Sequence, residues 1–270
     1  MKDSTTAMLS PRDLILTLID SANRLTLSAK YFVAAGALYE IDQSSMRVAL
    51  GRLVKDGSLE QAGRGAYKLG SRGGTLHRLV RNWSKVESSV KPWKGGWIGV
   101  FTANLKRSDR ASLRSRERAL KLFGFAEPET GLWVRPDNLT LGSADLRAAL
   151  LELGLESEAL TYQIAAFTPA DSIRFDLWPI KDLERRYRDN LVALSDSTAR
   201  LAQASEAELG RETLLLGRAV TRDILLDPLL PPEMIDVSLR KEVVQAMRAY
   251  DKMGKQFWRN FEATHNQRSD

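Results

Sequence analysis

A cluster of residues that break regular structure, KPWKGG at 91–96, divides the chain into two parts. Proline removes a backbone hydrogen-bond donor and paired glycines favour turns, so we expect no helix or strand to continue through it. The chain has 270 residues, which suits two or three domains of ordinary size. We predict one domain at 10–90, a second at 93–177 and a helical third at 178–264.

Positive charge is concentrated before this boundary. Residues 1–91 carry 14 Lys and Arg against 8 Asp and Glu, whereas the remaining 179 residues carry 26 of each kind. A basic module on a neutral body is typical of proteins that bind nucleic acid, because its cations neutralise phosphates. A chance distribution of surface charge is the alternative.

The first domain follows a pattern of three helices and a hairpin. Ser10 and Ser28 are each followed by apolar residues at helical spacing, so we predict that a helix begins at each of them. A third helix with one apolar face is predicted within 41–57. Residues 58–69 are typical of two short strands joined by a glycine-rich turn. This order predicts a winged helix-turn-helix, whose third helix enters the major groove of DNA. A connecting helix is predicted at 75–89.

The middle segment alternates strand and helix patterns. Strands are predicted at 97–105 and 160–167, helices at 110–123 and 143–153, and a hairpin around 129–135. This β-α-β-β-α-β order is the ferredoxin-like pattern.

The C-terminal part has helical periodicity, interrupted by the prolines of DPLLPP. The fold class expected is α+β and multidomain: winged helix, ferredoxin-like domain and helical C-terminal domain.

Several short motifs, in the same order along the chain, resemble the PaaX-like family of transcriptional regulators, named for the repressor of phenylacetic acid degradation. The matching segments include the predicted third helix with its Arg47, the sequence WKGGW at 93–97, GLWVRP at 131–136 and LLDPLLP at 225–231. Lys94 departs from the family pattern, which commonly has Asp there. The resemblance covers about Asp13 to Phe261, nearly the whole chain.

The resemblance implies a dimeric repressor of an aromatic-acid catabolic operon that binds double-stranded operator DNA. It also implies an acyl-coenzyme A effector such as phenylacetyl-CoA, whose binding releases the operator. The identity of the effector transfers least well, because effectors differ among regulators that share a DNA-binding scaffold. Whether the protein represses or activates does not follow from any residue pattern.

The third helix supplies the residues predicted to bind DNA. Arg47 is expected to donate two hydrogen bonds to a guanine edge; its alternative is an ion pair with Asp42 or Glu40. Ser44 and Ser45 are expected either to approach the DNA at the start of the helix or to act as its cap. The full predicted set is Gln43, Ser44, Ser45, Arg47, Arg52, Lys55 and, at the hairpin tip, Arg64.

Arginines on the C-terminal helices are candidates for binding the phosphates of an acyl-CoA ligand, because guanidinium groups pair with phosphate through two hydrogen bonds. Arginines are also common on the solvent-exposed faces of long helices. The predicted effector site consists of Arg185, Arg186, Arg218 and Arg222.

An enzyme is the less favoured alternative. A metal-dependent nuclease built on the middle domain needs a carboxylate at the end of its first strand, but Asn104 occupies that place and Asp109 lies in the following loop. The two histidines, His77 and His265, are expected to be ordinary surface residues, and the chain contains no cysteine. We expect no cofactor, metal or catalytic residue. A winged-helix scaffold for protein contacts is a further alternative.

Localisation is predicted from two features. The start of the chain lacks the apolar run of a signal peptide, and no stretch has the roughly 20 apolar residues of a membrane helix. The lack of cysteine fits a reducing compartment. We expect a soluble, cytoplasmic homodimer without membrane contact.

Overall fold

The computed structural model describes residues 9–21, 26–71, 74–167 and 177–266. It is an α+β structure with two antiparallel sheets. Contacts divide the chain into two units: the first consists of residues up to 77 with 197–218 and 249–270, and the second of residues 78–196 and 219–248. The division into three domains stays a prediction.

The N-terminal part of the first unit contains the predicted helices and hairpin. Its elements, in chain order, are α1 (Pro11–Ser21), β1 (Leu27–Ser28), α2 (Ala29–Leu38), α3 (Gln43–Lys55), β2 (Leu59–Gly63), β3 (Ala66–Leu69) and α4 (Gly74–Arg81). The sheet order is β1-β3-β2, so β1 adds a third strand that the sequence pattern did not predict.

Local signals in the sequence set the ends of these helices. The Ser10 hydroxyl accepts from the Asp13 N–H at 3.1 Å, and the Ser28 hydroxyl accepts from the Tyr31 N–H at the same distance. Both serines therefore cap the helices as predicted. Gly57 follows the end of α3 with a φ of 75°, a conformation that glycine adopts without steric cost.

A single apolar core holds the first unit together. Leu14, Leu18 and Phe32 from the first two helices, with Leu50 from α3, are at most 1% exposed. Leu214 belongs to the same core, and Trp258 and Phe261 pack against it. Parts of the C-terminal helices are therefore integral to the first unit.

The second unit contains a four-stranded sheet. After a short 3-10 helix (Trp83–Ser89), its elements are β4 (Trp97–Phe101), α5 (Arg110–Leu122), β5 (Ala126–Glu129), β6 (Leu132–Pro136), α6 (Ser143–Glu152) and β7 (Leu160–Ile164). The strand order is β5-β6-β4-β7, and all neighbouring strands are antiparallel. The β-α-β-β-α-β order is as predicted.

The predicted connecting helix at 75–89 is wrong in part. Helix α4 ends at Arg81, and the 3-10 helix begins two residues later. The Asn82 N–H donates to both Arg78 O and Leu79 O, at 3.0 and 3.1 Å. This shared bond tightens the last turn of α4, and the altered winding leaves Trp83 only 9% exposed.

The C-terminal helices are α7 (Ile180–Leu201), α8 (Glu206–Leu225) and α9 (Val237–His265). Helical periodicity in the sequence predicts these three helices at 181–204, 206–226 and 238–261, within a few residues of the observed bounds. The predicted break at the prolines is confirmed, because no helix covers residues 226–236. The Asp227 carboxylate accepts from the Leu229 N–H at 2.8 Å, which stabilises the turn that leaves the helix.

Candidate nucleic-acid interface

Helix α3 has one face in the core and one face in solvent. Met46, Leu50 and Leu53 are buried against α1 and α2, with exposures of at most 1%. The opposite face is therefore turned outward by the same 3.6-residue period. It exposes Gln43, Ser44, Arg47, Arg52 and Lys55, whereas Ser45 is half-buried.

The N-terminus of α3 is capped by Asp42, not by a serine. Its carboxylate accepts from the Ser45 N–H at 2.9 Å and from the hydroxyls of Ser44 and Ser45, each at 2.6 Å. These hydrogen bonds, with that from Ser44 the strongest, hold the pKa of Asp42 well below its usual range. The alternative that Ser44 or Ser45 is the cap is thus wrong, because α3 begins at Gln43 and both serines lie inside its first turn.

Arg47 is held by a neutral partner. With the Gln43 amide turned so that its oxygen faces Arg47, that oxygen accepts from Nη2 at 2.6 Å and from Nε at 3.2 Å. The expected alternative of an ion pair with Asp42 or Glu40 is not observed among the described residues. Within the part of the chain that the structure describes, no carboxylate compensates the charge of Arg47.

The C-terminal end of α3 is also cationic. Arg52 and Lys55 are exposed, and Asp56, the nearest acid in the chain, is paired with Arg12 at 2.6 Å. Hydrogen bonds from Ser58 and Arg12 lower the pKa of Asp56 to about 2. The negative charge of Asp56, which lies beside Arg52 and Lys55 in the chain, is therefore balanced by Arg12.

Arg64 lies at the tip of the hairpin between β2 and β3. Gly63 and Gly65 flank it with φ angles of 141° and 66°, so the tight turn depends on glycine. Arg64 is exposed, and no ion pair joins it to another described residue. Lys68 on β3 pairs instead with Glu60 at 2.9 Å.

Sequence reasoning missed one position on the same outer face. Val48 is 52% exposed on this otherwise polar face. A Cβ built on Gly51 meets no atom within 4 Å, so this part of the helix is open to close approach. An apolar residue on the polar side of an amphipathic helix was the signal that could have identified Val48.

The four predicted effector arginines have different surroundings, although Arg218 and Arg222 lie one turn apart on α8. Arg218 lies in the first unit and pairs with Asp13 at 3.1 Å, whereas the other three lie in the second unit. Arg185 pairs with Asp182 on its own helix at 2.8 Å, Arg222 is exposed, and Arg186 lines a crevice of about 10 Å³. Helical periodicity predicts which face of its helix an arginine occupies, but it does not predict which residues pack against that face.

A larger cavity, of about 480 Å³, lies within the second unit. It is bordered by the 3-10 helix, the end of α5, residues 139–142 and the chain that leaves α8. None of the four predicted arginines lines it; Arg135 of the GLWVRP motif does. This size is typical of cavities that hold small molecules.

The residues considered for the enzyme alternative have structural partners. The Asp109 carboxylate caps α5 by accepting from the N–H groups of Ala111 and Ser112, and Asn104 donates to Glu158 O at 2.9 Å. The described residues include no group of three or more acidic or histidine side chains placed to hold a metal ion.

The expectation that His77 is a surface residue is wrong. Its side chain is 13% exposed, and its Nδ1 lies 2.6 Å from Asp20 Oδ1. This contact links α1 to α4 within the first unit.

The comparisons with known proteins show a similar fold but no family. The chain is similar to the solved structure of an uncharacterized protein, Rv0674, from Mycobacterium tuberculosis, with 21% sequence identity and a TM-score of 0.62. The similarity covers 94% of this chain and 99% of that one. No protein-family model and no curated protein matches the chain. Membership of the PaaX-like family therefore stays a prediction.

None of the helices in the described part of the chain is long and apolar enough to cross a membrane.

Proposed function

We propose that this protein is a sequence-specific DNA-binding transcriptional regulator of the PaaX-like type. In this proposal residues 10–90 form a winged helix-turn-helix, with α3 as the recognition helix and the β2–β3 hairpin as the wing. The four-stranded sheet with α5 and α6 is a ferredoxin-like domain, which its strand order supports.

The outer face of α3 is the observation that carries the proposal. It presents Arg47, Arg52 and Lys55 to solvent without an acidic partner among the described residues, on a helix whose other face is fixed in the core. Exposed arginines on such a helix can read guanine edges in the major groove, and lysines there can neutralise phosphates. A scaffold for protein contacts has no need of this arrangement.

Regulation belongs to the same proposal and rests on the sequence resemblance. The protein acts as a homodimer on a two-fold operator, and an acyl-CoA such as phenylacetyl-CoA releases it. Any such effector must bind the DNA-competent and incompetent forms with different affinities.

The testing experiment is a fluorescence-anisotropy titration of the protein against its own promoter region and a scrambled duplex, at about 100 mM salt because affinity depends steeply on ionic strength. We expect specific binding that phenylacetyl-CoA weakens. Specific binding that ignores the thioester would keep the regulator and remove that effector. Equal affinity for both duplexes would contradict the proposal, and a metal-dependent nuclease assay would follow.

A further inference from the structure

The cavity of the second unit is mainly apolar. Trp83, Leu139 and Phe123 line it and are 9%, 5% and 7% exposed, and Val86, Leu141 and Leu229 add further hydrocarbon. Burial of a ligand against such side chains is favourable in proportion to the apolar area removed from water. The walls therefore suit an apolar molecule of small size.

Arg135 gives the cavity an unusual charge. It lies on β6 opposite Ile98 of β4, is 1% exposed, and lines the cavity. Its guanidinium donates to the carbonyls of Pro136 and Phe123 and to Asn138 Oδ1. These acceptors are all neutral, and burial lowers the pKa of Arg135 to about 9.

Two other buried arginines in the same unit differ from Arg135, because each pairs with a carboxylate. Arg116 is 2% exposed and pairs with Glu156 at 2.6 Å; Arg240 is 4% exposed and pairs with Glu87 at 2.8 Å. Within the described residues, Arg135 has no carboxylate within 4.0 Å. A buried cation is stable when its charge is compensated. In place of a direct ion pair Arg135 has only the more distant charge of Asp137, which itself pairs with Lys91.

The remaining charged groups of the cavity do not supply a direct partner. Asp227 is engaged with Arg240 and Tyr187, and Asp145 is exposed on α6. Lys85 is exposed and adds a second positive charge. Of the five N–H groups of Arg135, three donate in the hydrogen bonds above, which leaves one on each Nη atom.

We propose that this cavity binds a small apolar carboxylate, such as an aromatic or aliphatic monocarboxylic acid. The carboxylate pairs with Arg135 while the hydrocarbon part packs on Trp83, Leu139 and Leu141. The inference is independent of DNA binding, because the binding measurement uses the full chain without DNA, so either proposal can fail alone.

The test is isothermal titration calorimetry with benzoate, 3-phenylpropionate and octanoate, each paired with its neutral amide. A charge-assisted hydrogen bond in a desolvated site is strong, so we expect at least one acid to bind at least tenfold more tightly than its amide. Arg135→Gln should abolish this preference. Equal binding of acid and amide by the unmodified protein, or no binding of any acid at millimolar concentration, would overturn the proposal.

A second pair of variants keeps the test informative if Arg135→Gln does not fold. Leu141→Trp reduces the volume of the cavity and leaves the arginine in the sequence, and we expect it to lose binding of every acid. Leu151→Trp is the matched control, because Leu151 lies on α6, is 37% exposed and does not line the cavity. Retained binding by a folded Leu141→Trp protein would show that the acid binds elsewhere and that Arg135 has only a structural role at the end of α5.

Discussion

Arg47 and Arg64 have different tasks in the proposed complex. Arg47 projects from the recognition helix and reads a base, whereas Arg64 at the hairpin tip meets the flanking backbone. We expect Arg47→Ala to weaken specific binding by about 1 to 3 kcal/mol and to leave random DNA much less affected. Arg64→Ala should weaken both kinds of DNA slightly and lower the salt slope by about 1.

Anisotropy titrations of both variants against promoter and scrambled duplexes at several salt concentrations measure this difference. Arg185→Ala is the control, because that arginine is paired with Asp182 in the second unit. Equal losses for the two variants on both duplexes would contradict the division of roles.

Val48 offers a second test at the scale of one residue. Its exposed methyl groups lie beside Arg47 on the helix, and apolar side chains in the major groove contact the C5-methyl of thymine. We expect binding to weaken when deoxyuridine replaces thymine at one operator position, since this change removes only that methyl. The Val48→Ala variant should not distinguish the two duplexes. If the affinity of the unmodified protein stays the same after every thymine-to-deoxyuridine change, Val48 makes no such contact.

At the scale of one element, Asp42 stabilises helix α3. Its depressed pKa means that the stabilisation is complete above the ordinary carboxyl range and is lost as the pH falls through the lower pKa of the folded protein. We expect Asp42→Ala to lower the urea midpoint at pH 7, and Asp42→Asn, which keeps an acceptor for the cap, to lower it less. The difference between Asp42→Asn and the unmodified protein should shrink below about pH 4. A constant difference would contradict the charged cap.

Arg240 on α9 plays a comparable part in the second unit. It pairs with Glu87 and lies 3.8 Å from Asp227, which is 5% exposed. Removal of one partner leaves a buried charge uncompensated, so we expect Arg240→Ala to cost about 3 to 5 kcal/mol. Arg185→Ala, which breaks an exposed pair, should cost about 0 to 1 kcal/mol.

The pH dependence of the stability lost in Arg240→Ala tests whether the charge of Asp227 causes the loss. Burial raises the pKa of Asp227 above its ordinary value, so the folded state gains stability as the pH falls through that raised pKa to the ordinary carboxyl value. Without Arg240 this gain is larger, because only protonation can neutralise Asp227. Urea unfolding should therefore show a smaller cost at pH 5 than at pH 7. A cost that grows on acidification would point to another group.

At the scale of the whole molecule, the uneven charge predicts how the proposed DNA binding responds to salt. The chain carries a net charge of +6, all of it in residues 1–91. Each phosphate contact contributes about 0.9 to the slope of log affinity against log salt. The double variant Arg52→Ala with Lys55→Ala should reduce the magnitude of that slope by about 2.

Anisotropy titrations from low to physiological salt measure the slope. Lys181→Ala with Arg185→Ala is the matched control, because it removes the same charge from the second unit and should leave the slope unchanged. A slope insensitive to the first pair would show that α3 does not neutralise phosphates.

Sequence alone determined most helices and strands, and it determined which polar residues of α3 face solvent. Caps, glycine stops and apolar periodicity act over a few residues, and Ser28, Gly57 and Met46 show how directly such signals predict helix ends and faces. The order of strands and helices in the second unit follows from the same local patterns.

The tertiary structure decided what distant residues do for each other. Asn266 accepts from the Ser28 N–H at 2.6 Å, and Leu214 joins the N-terminal core, although more than 150 residues separate each from its partners. Arg135 becomes a buried cation beside a cavity only because residues far apart in the chain enclose it. Local periodicity specifies which face of an element is apolar, but the partner of that face depends on long-range packing, which no short segment encodes.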